Sequence, residues 1–321
     1  MEKNNGKYQG AAGVLALQLG KISEALGYFQ NALRINLEAF GDSHEEVAKN
    51  RNRLGLVYSS LGQYEKAINY YQLALKSDVK TFGYNHPRVA TILNNLGETY
   101  CYLGQYKRAI DYFTRALESD LMTYGLEHAS VAIDFNNLGA AYISLGQYDN
   151  GVDYFQHALE IDLKAYGEDH PNVAIDWNNL GSAYFSLGQH EKAINYYRLA
   201  LESDLKTYGE GHPQIATYRN NLGLVHGSLG QYHKAIEYYL LALASDIKTY
   251  GKEHPKVATT QNNLGMAYSS LGQYDEAIGF YQTALDIRSR LFGKHHPNTQ
   301  IVQNNLNAAK ALAQELNKRL D

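Results

Sequence analysis

One interval organises this chain. The pair Leu-Gly stands at 19–20, 61–62, 103–104, 145–146, 187–188, 229–230 and 271–272, each step 42 residues. Gly41, Gly83, Gly125, Gly167, Gly209, Gly251 and Gly293 keep the same step, and so do His44, His86, His128, His170, His212, His254 and His296. A unit of this size cannot bury its own apolar face, so neighbours must stack on one another. The 321 residues would suggest about two domains on length alone. Seven in-register units without a linker or low-complexity tract predict one solenoid instead.

Each unit reads as two helices. In "HPRVATILNNLGETYCYLG", Leu93, Leu96, Gly97, Tyr100 and Leu103 fall at helical spacing. In "QYKRAIDYFTRALESDLMTYG", Tyr106, Ala109, Ile110, Phe113, Ala116 and Leu117 form one stripe. Gly104 and Gly125 are expected as helix C-caps, and Pro87 at a helix start, where its missing N–H costs nothing. The small Gly97 and Ala109 allow neighbouring helices to approach closely. The expected units span roughly residues 5–41, 46–83, 88–125, 130–167, 172–209, 214–251 and 256–293, with a capping helix over 298–320. That last helix has Asn307 and Lys310 where a following helix would pack, and the first unit has Ala11 and Ala12 where the others have Asn and Leu. Both ends read as caps.

Leu96-Gly97, Tyr100, Gly104, Tyr106, Ala109, Phe113 and Ala116 resemble the tetratricopeptide (TPR) signature, whose usual period is 34 residues. The 42-residue form with its His-Pro start is similar to the repeats of kinesin light chains and related bacterial proteins. The last unit, "ALDIRSRLFGKHHPNT", comes closest, whereas Asp78, Asp120, Asp162, Asp204 and Asp246 stand where that family commonly has a basic residue. The resemblance covers nearly the whole chain. It implies an all-α, right-handed α-α superhelical solenoid with a peptide-binding or scaffolding role. Seven nearly identical units suggest recent duplication or consensus design.

Composition narrows the classes. The chain is 45% hydrophobic with a net charge of −4, which gives no electrostatic footprint for nucleic acid or an anionic membrane. No apolar run approaches a membrane span, and the opening "MEKNNGKYQG" lacks the apolar core expected of a signal peptide. The cytoplasm is the expected compartment and a monomer the expected state. A lone Cys101 excludes an internal disulfide.

The recurring "NNLG" carries the functional question. Asn94-Asn95, Asn136-Asn137, Asn178-Asn179, Asn220-Asn221 and Asn262-Asn263 sit mid-helix, roughly 130° to either side of the core direction. Both asparagines are expected to face outward, and the resemblance assigns that face to the concave groove. In units three to seven the outward columns of the first helices carry one charge, Glu98. The second helices carry pairs such as Glu65-Lys66 and Lys107-Arg108. An uncharged, amide-rich strip reads as a binding surface. An Asn ladder offers a carbonyl and two N–H donors per side chain to an extended peptide, at roughly three ligand residues per repeat. Ile133, Ile143, Ile175 and Phe185 form the most apolar stretch, expected to take an aliphatic or aromatic anchor. Kinesin light chains are thought to use asparagines at matching positions in this way. The other reading is that one Asn per pair bonds to the neighbouring repeat and stabilises stacking alone.

Lys49 and Arg53 resemble the basic positions of the TPR carboxylate clamp, but Gly10 and Ala11 fill part of its remaining space. An anion contact and a solvated basic pair both fit. The seven periodic histidines lie a repeat apart, too far for ~2 Å bonds to a shared ion, and are expected at helix starts. No cofactor and no catalytic constellation is expected. The rivals to peptide binding are a purely structural adaptor or self-associating spacer, and a single-strand RNA reader, which would need a basic groove.

Overall fold

The computed structural model describes residues 2–320. The described residues form fifteen α-helices and no strand, in two compact units, Met1–Ala165 and Tyr166–Asp321. The first unit holds α1 (Glu2–Gln18), α2 (Ile22–Phe40), α3 (Glu45–Ser60), α4 (Tyr64–Phe82), α5 (Pro87–Tyr102), α6 (Tyr106–Tyr124), α7 (Ala129–Ser144) and α8 (Tyr148–Tyr166), the last crossing the boundary by one residue. The second holds α9 (Pro171–Ser186), α10 (His190–Tyr208), α11 (Pro213–Ser228), α12 (Tyr232–Tyr250), α13 (Pro255–Ser270), α14 (Tyr274–Phe292) and α15 (Pro297–Leu320). Within each unit, successive helices pack in pairs and each pair packs on the next.

The repeat is made of a sixteen-residue helix and a nineteen-residue helix, as in α5 and α6. The first stops at Gly104. Its N–H bonds to the Cys101 carbonyl and the Gln105 N–H reaches back to Tyr100, both at 2.9 Å, and the φ of 70° excludes a comfortable side chain there. The second stops at Gly125, whose φ of 78° turns the chain toward the next unit.

The histidines begin the first helices, as expected. His86 caps α5 by accepting the Arg88 N–H at its Nδ1, 3.2 Å away, while Pro87 takes the first helical turn. His44, His128, His170, His254 and His296 cap in the same way. Each of these rings also stacks on the aromatic residue four positions earlier, such as Phe82 on His86 and Tyr124 on His128. His212 departs: its Nδ1 lies 3.4 Å from the buried Asp204 and caps nothing.

The glycine of each NNLG is a contact point. A Cβ on Gly97 would lie 2.5 Å from the Phe113 ring. The same clash recurs at Gly55 with Tyr71, Gly139 with Phe155, Gly181 with Tyr197, Gly223 with Tyr239 and Gly265 with Tyr281. The aromatic of the second helix thus lies flat on the backbone of the first. Tyr100–Tyr112, Tyr142–Tyr154 and Tyr184–Tyr196 add parallel ring stacks within pairs, at 5.2–5.4 Å.

Asp78, Asp120, Asp162, Asp204 and Asp246 are all buried. Asp78 receives two N–H groups of Arg88 at 3.0 and 3.1 Å. Asp204 accepts from the Tyr218 hydroxyl and Asp246 from Thr260. On α15, Asn307 and Lys310 are exposed to solvent.

Candidate functional site

The first helices place the Asn pairs where the core meets the open face, and every one of the ten is half-buried. Their side chains bond across repeats. The second Asn of a pair donates backward to the first Asn position of the preceding repeat: Asn95 to Asn52 at 3.0 Å, Asn137 to Asn94 at 3.3 Å, Asn221 to Asn178 at 2.8 Å and Asn305 to Asn262 at 3.0 Å. The first Asn donates forward: Asn94 to the Asp134 carboxylate at 2.6 Å, and Asn220 to the Thr260 hydroxyl at 2.8 Å. Asn136 and Asn179 are engaged as well. Asn94 is therefore held between two residues of α7 that lie one turn apart. A half-buried amide left without partners would cost free energy, so these bonds tie stacked repeats in register.

The network does not exhaust the amides. Asn95, Asn137 and Asn221 each spend one N–H on the preceding repeat, and each side chain has a second N–H and two carbonyl lone pairs.

The columns between the pairs are the exposed ones. Thr91, Glu98, Ile133, Ala140, Ile175, Leu224, Thr259 and Met266 all face solvent, and Glu98 alone is charged. Ile133 on α7 is 54% exposed and Ile175 on α9 is 42% exposed, so both project from the face as expected. Ile143 and Phe185 do not. Ile143 is half-buried at the end of α7, where its Cδ1 lies against Gly151 of α8, and Phe185 turns toward the His190 ring at 5.6 Å. Cys101 is half-buried against the core, and burial pushes the pKa of its thiol up to about 11.

Lys49 donates to Glu45 and Glu46, both at 2.7 Å, and these bonds raise its ammonium above the ordinary range against the opposing effect of burial. Arg53 lies over the Phe29 ring at 5.7 Å. Both line a cavity of about 490 Å³ with Lys7, Gly10, Asn36 and Asn50. The structure brings the two basic residues together but commits Lys49 to its own helix.

Sequence reasoning missed the forward acceptor. Asp134 is fully buried, and burial, with Asp120 nearby, pushes its carboxyl up to about 7. The signal was present in "IDFNN" and "IDWNN", where an aspartate precedes the second Asn by three residues and so shares its helix face. It also missed two adjoining cavities along α11 and α13. One, of about 280 Å³, is lined by Leu224, Gly227, Tyr239 and Met266, and the other, of about 250 Å³, by Thr217, Asn220, Asn221 and Thr259.

Helix pairs of constant length, stacked through a glycine–aromatic contact and an amide network, define an α-solenoid interaction scaffold. The tetratricopeptide repeat profile matches residues 7–78, 70–121, 130–206, 177–248, 214–290 and 256–317. The chain belongs to the tetratricopeptide repeat family. Among solved structures it is similar to the nearly identical TPR-like repeats of a Podosopora anserina protein assigned as a kinesin light chain, with 25% identity, a TM-score of 0.55, and coverage of 64% of this chain and 98% of that one. BtubC (BKLC) from P. vanneervenii shares the fold at 23% identity and a TM-score of 0.62, over 73% of this chain and 94% of that one. The quorum sensor NprR from B. thuringiensis shares it at 16% identity and a TM-score of 0.72, over 89% of this chain and 77% of that one. A search of functionally curated proteins finds no match. No described helix is long and apolar enough to cross a membrane.

Proposed function

We propose that this scaffold holds an extended peptide segment of a protein partner along the exposed faces of its first helices, without catalysing a reaction. The observation that carries this reading is how little charge those columns bear: Thr91, Ile133, Ala140, Ile175, Leu224, Thr259 and Met266 are exposed beside the single charge of Glu98, while the second helices carry pairs such as Glu65-Lys66 and Lys107-Arg108. Exposed apolar side chains flanked by half-engaged amides suit a main chain with apolar anchors. The unused carbonyl and N–H of Asn95, Asn137 and Asn221 supply main-chain partners that read no sequence. The asparagines then serve two ends, with one N–H of each holding the repeats and the remaining edge meeting the ligand. Ile133 and Ile175 are the selective contacts of this kind, and Lys49 with Arg53 adds a basic end to the face.

Selection of random linear peptides displayed on phage against the immobilised protein tests the reading. Enriched peptides should lose binding to Ile133→Lys and Ile175→Lys, which leave the amide network intact. They should keep it with Lys107→Glu on a second helix. Absence of enrichment, or peptides indifferent to both lysine changes, favours the structural adaptor or spacer.

A further inference from the structure

We infer that the junction of α11 and α13 is where this scaffold seats an uncharged apolar side chain of its ligand, with Asn263 holding the ligand backbone beside it. The inference rests on the peptide-binding reading above and deepens it.

Two independent observations meet at this junction. The first is an open rung. Asn137, Asn221 and Asn305 each donate to the first Asn of the preceding repeat, but Asn263 does not. Asn220, its counterpart, sends its N–H groups to Thr260 and to the Ala216 carbonyl, and its side-chain oxygen is buried with no partner. The amide of Asn263 is therefore not spent on stacking as its equivalents are.

The second is space at the same place. The cavities of about 280 and 250 Å³ share Leu224 and Asn263, so the uncommitted amide stands where an apolar hollow meets a polar one. The apolar hollow exists because of Gly227. The same repeat position holds Cys101, Ile143 and Phe185, whereas a Cβ on Gly227 would meet only the Ala235 Cβ, at 3.8 Å. Leu224, Tyr239 and Met266 line what the missing side chain leaves. A hollow of this volume, at the lower end of ligand pockets, suits one or two side chains rather than a free metabolite. No charged side chain lines it. The polar hollow carries one charge of each sign: Lys256 donates to the Tyr250 hydroxyl, and the buried Asp246 accepts from Thr260 through one carboxylate oxygen.

The chain reports on this site through its own methionines, of which there are three: Met1, Met122 and Met266. The full chain, labelled with ¹³C at the methionine methyls, is titrated with capped heptapeptides Ser-Gly-Ser-X-Ser-Gly-Ser. With X as Leu or Phe, the Met266 resonance should move saturably while Met122 stays still. With X as Gly, Asp or Lys the response should be at least about tenfold weaker. Gly227→Phe, which restores the side chain found at position 185, should abolish the Met266 response, and Asn263→Ala should weaken it about tenfold. An unchanged Met122 resonance and melting temperature confirm that each variant is folded. Saturable binding that leaves Met266 unmoved, or that survives Gly227→Phe, overturns this site and leaves the peptide reading standing. No saturable binding anywhere in the series overturns the inference, and the display selection then decides the wider reading separately.

Discussion

Asn137 of α7 donates a side-chain N–H to the side-chain carbonyl of Asn94 on α5, 3.3 Å away, across one full repeat. Asn94 answers with an N–H to Asp134, one turn before Asn137. The bond pattern explains why two mediocre helix formers recur mid-helix: their cost in propensity is offset by fixing the register of stacked repeats.

Asn94→Ala should destabilise the chain more than Asn95→Ala, because it strips partners from both Asp134 and Asn137. A loss of about 1–3 kcal/mol is expected for Asn94→Ala. Urea unfolding of the single variants and of Asn94→Ala with Asn137→Ala measures it. The pair should lose less than the two singles added together, since each single variant already breaks the shared bond.

Gly97→Ala should cost about 1–3 kcal/mol, because its Cβ would overlap the Phe113 ring. Gly97→Ala combined with Phe113→Leu should recover part of that loss, as the smaller side chain yields the space. Thermal melts of the three variants separate this steric cost from the helix propensity of alanine, which acts in the opposite direction.

How far the sequence specified this arrangement depends on the kind of interaction. The repeat, the helix pairs, the glycine stops and the histidine starts were legible because each follows from local backbone chemistry or from periodicity. The direction of the asparagines was legible only in part. Helical phase put Asn94 and Asn95 off the core axis, but phase cannot say that an adjacent repeat supplies Asn52 and Asp134 at bonding distance. The same limit applies to Ile143, which helical phase places in the apolar stretch expected to take a ligand's anchor. Its column faces outward in projection, yet Gly151 on the next helix makes room for it to fold inward. Gly227 is the converse case, a missing side chain whose consequence is visible only with its neighbours in place.

Stability should depend on pH through Asp134. Burial raises its folded value from the ordinary 3.8 to about 7, so between these values the folded chain binds a proton that the unfolded chain has released. This contribution is fully present below about pH 4 and is lost as pH rises through 7, at about 1.4 kcal/mol per unit of displacement. Asp134→Asn should flatten that part of the profile while keeping an acceptor for Asn94. Unfolding midpoints of both proteins from pH 4 to 8 measure the difference.

Arg88→Met should leave Asp78 buried without its cation. Burial raises the Asp78 carboxyl, and Arg88 opposes that rise through charge and hydrogen bonds. Its removal should cost about 3 kcal/mol at neutral pH and less in acid, where Asp78 can protonate. Arg88→Met with Asp78→Leu should restore most of the loss, as read by denaturant unfolding at pH 5 and 7.

Photo-cross-linking shows whether ligand lies along the first helices. A display-selected peptide carrying a benzophenone side chain is irradiated with the full chain and the adducts are located by mass spectrometry. Adducts are expected at exposed first-helix positions such as Ile133, Ile175, Leu224 and Met266. Adducts on the charged faces of the second helices, around Glu65, Lys107 or Glu191, would contradict it.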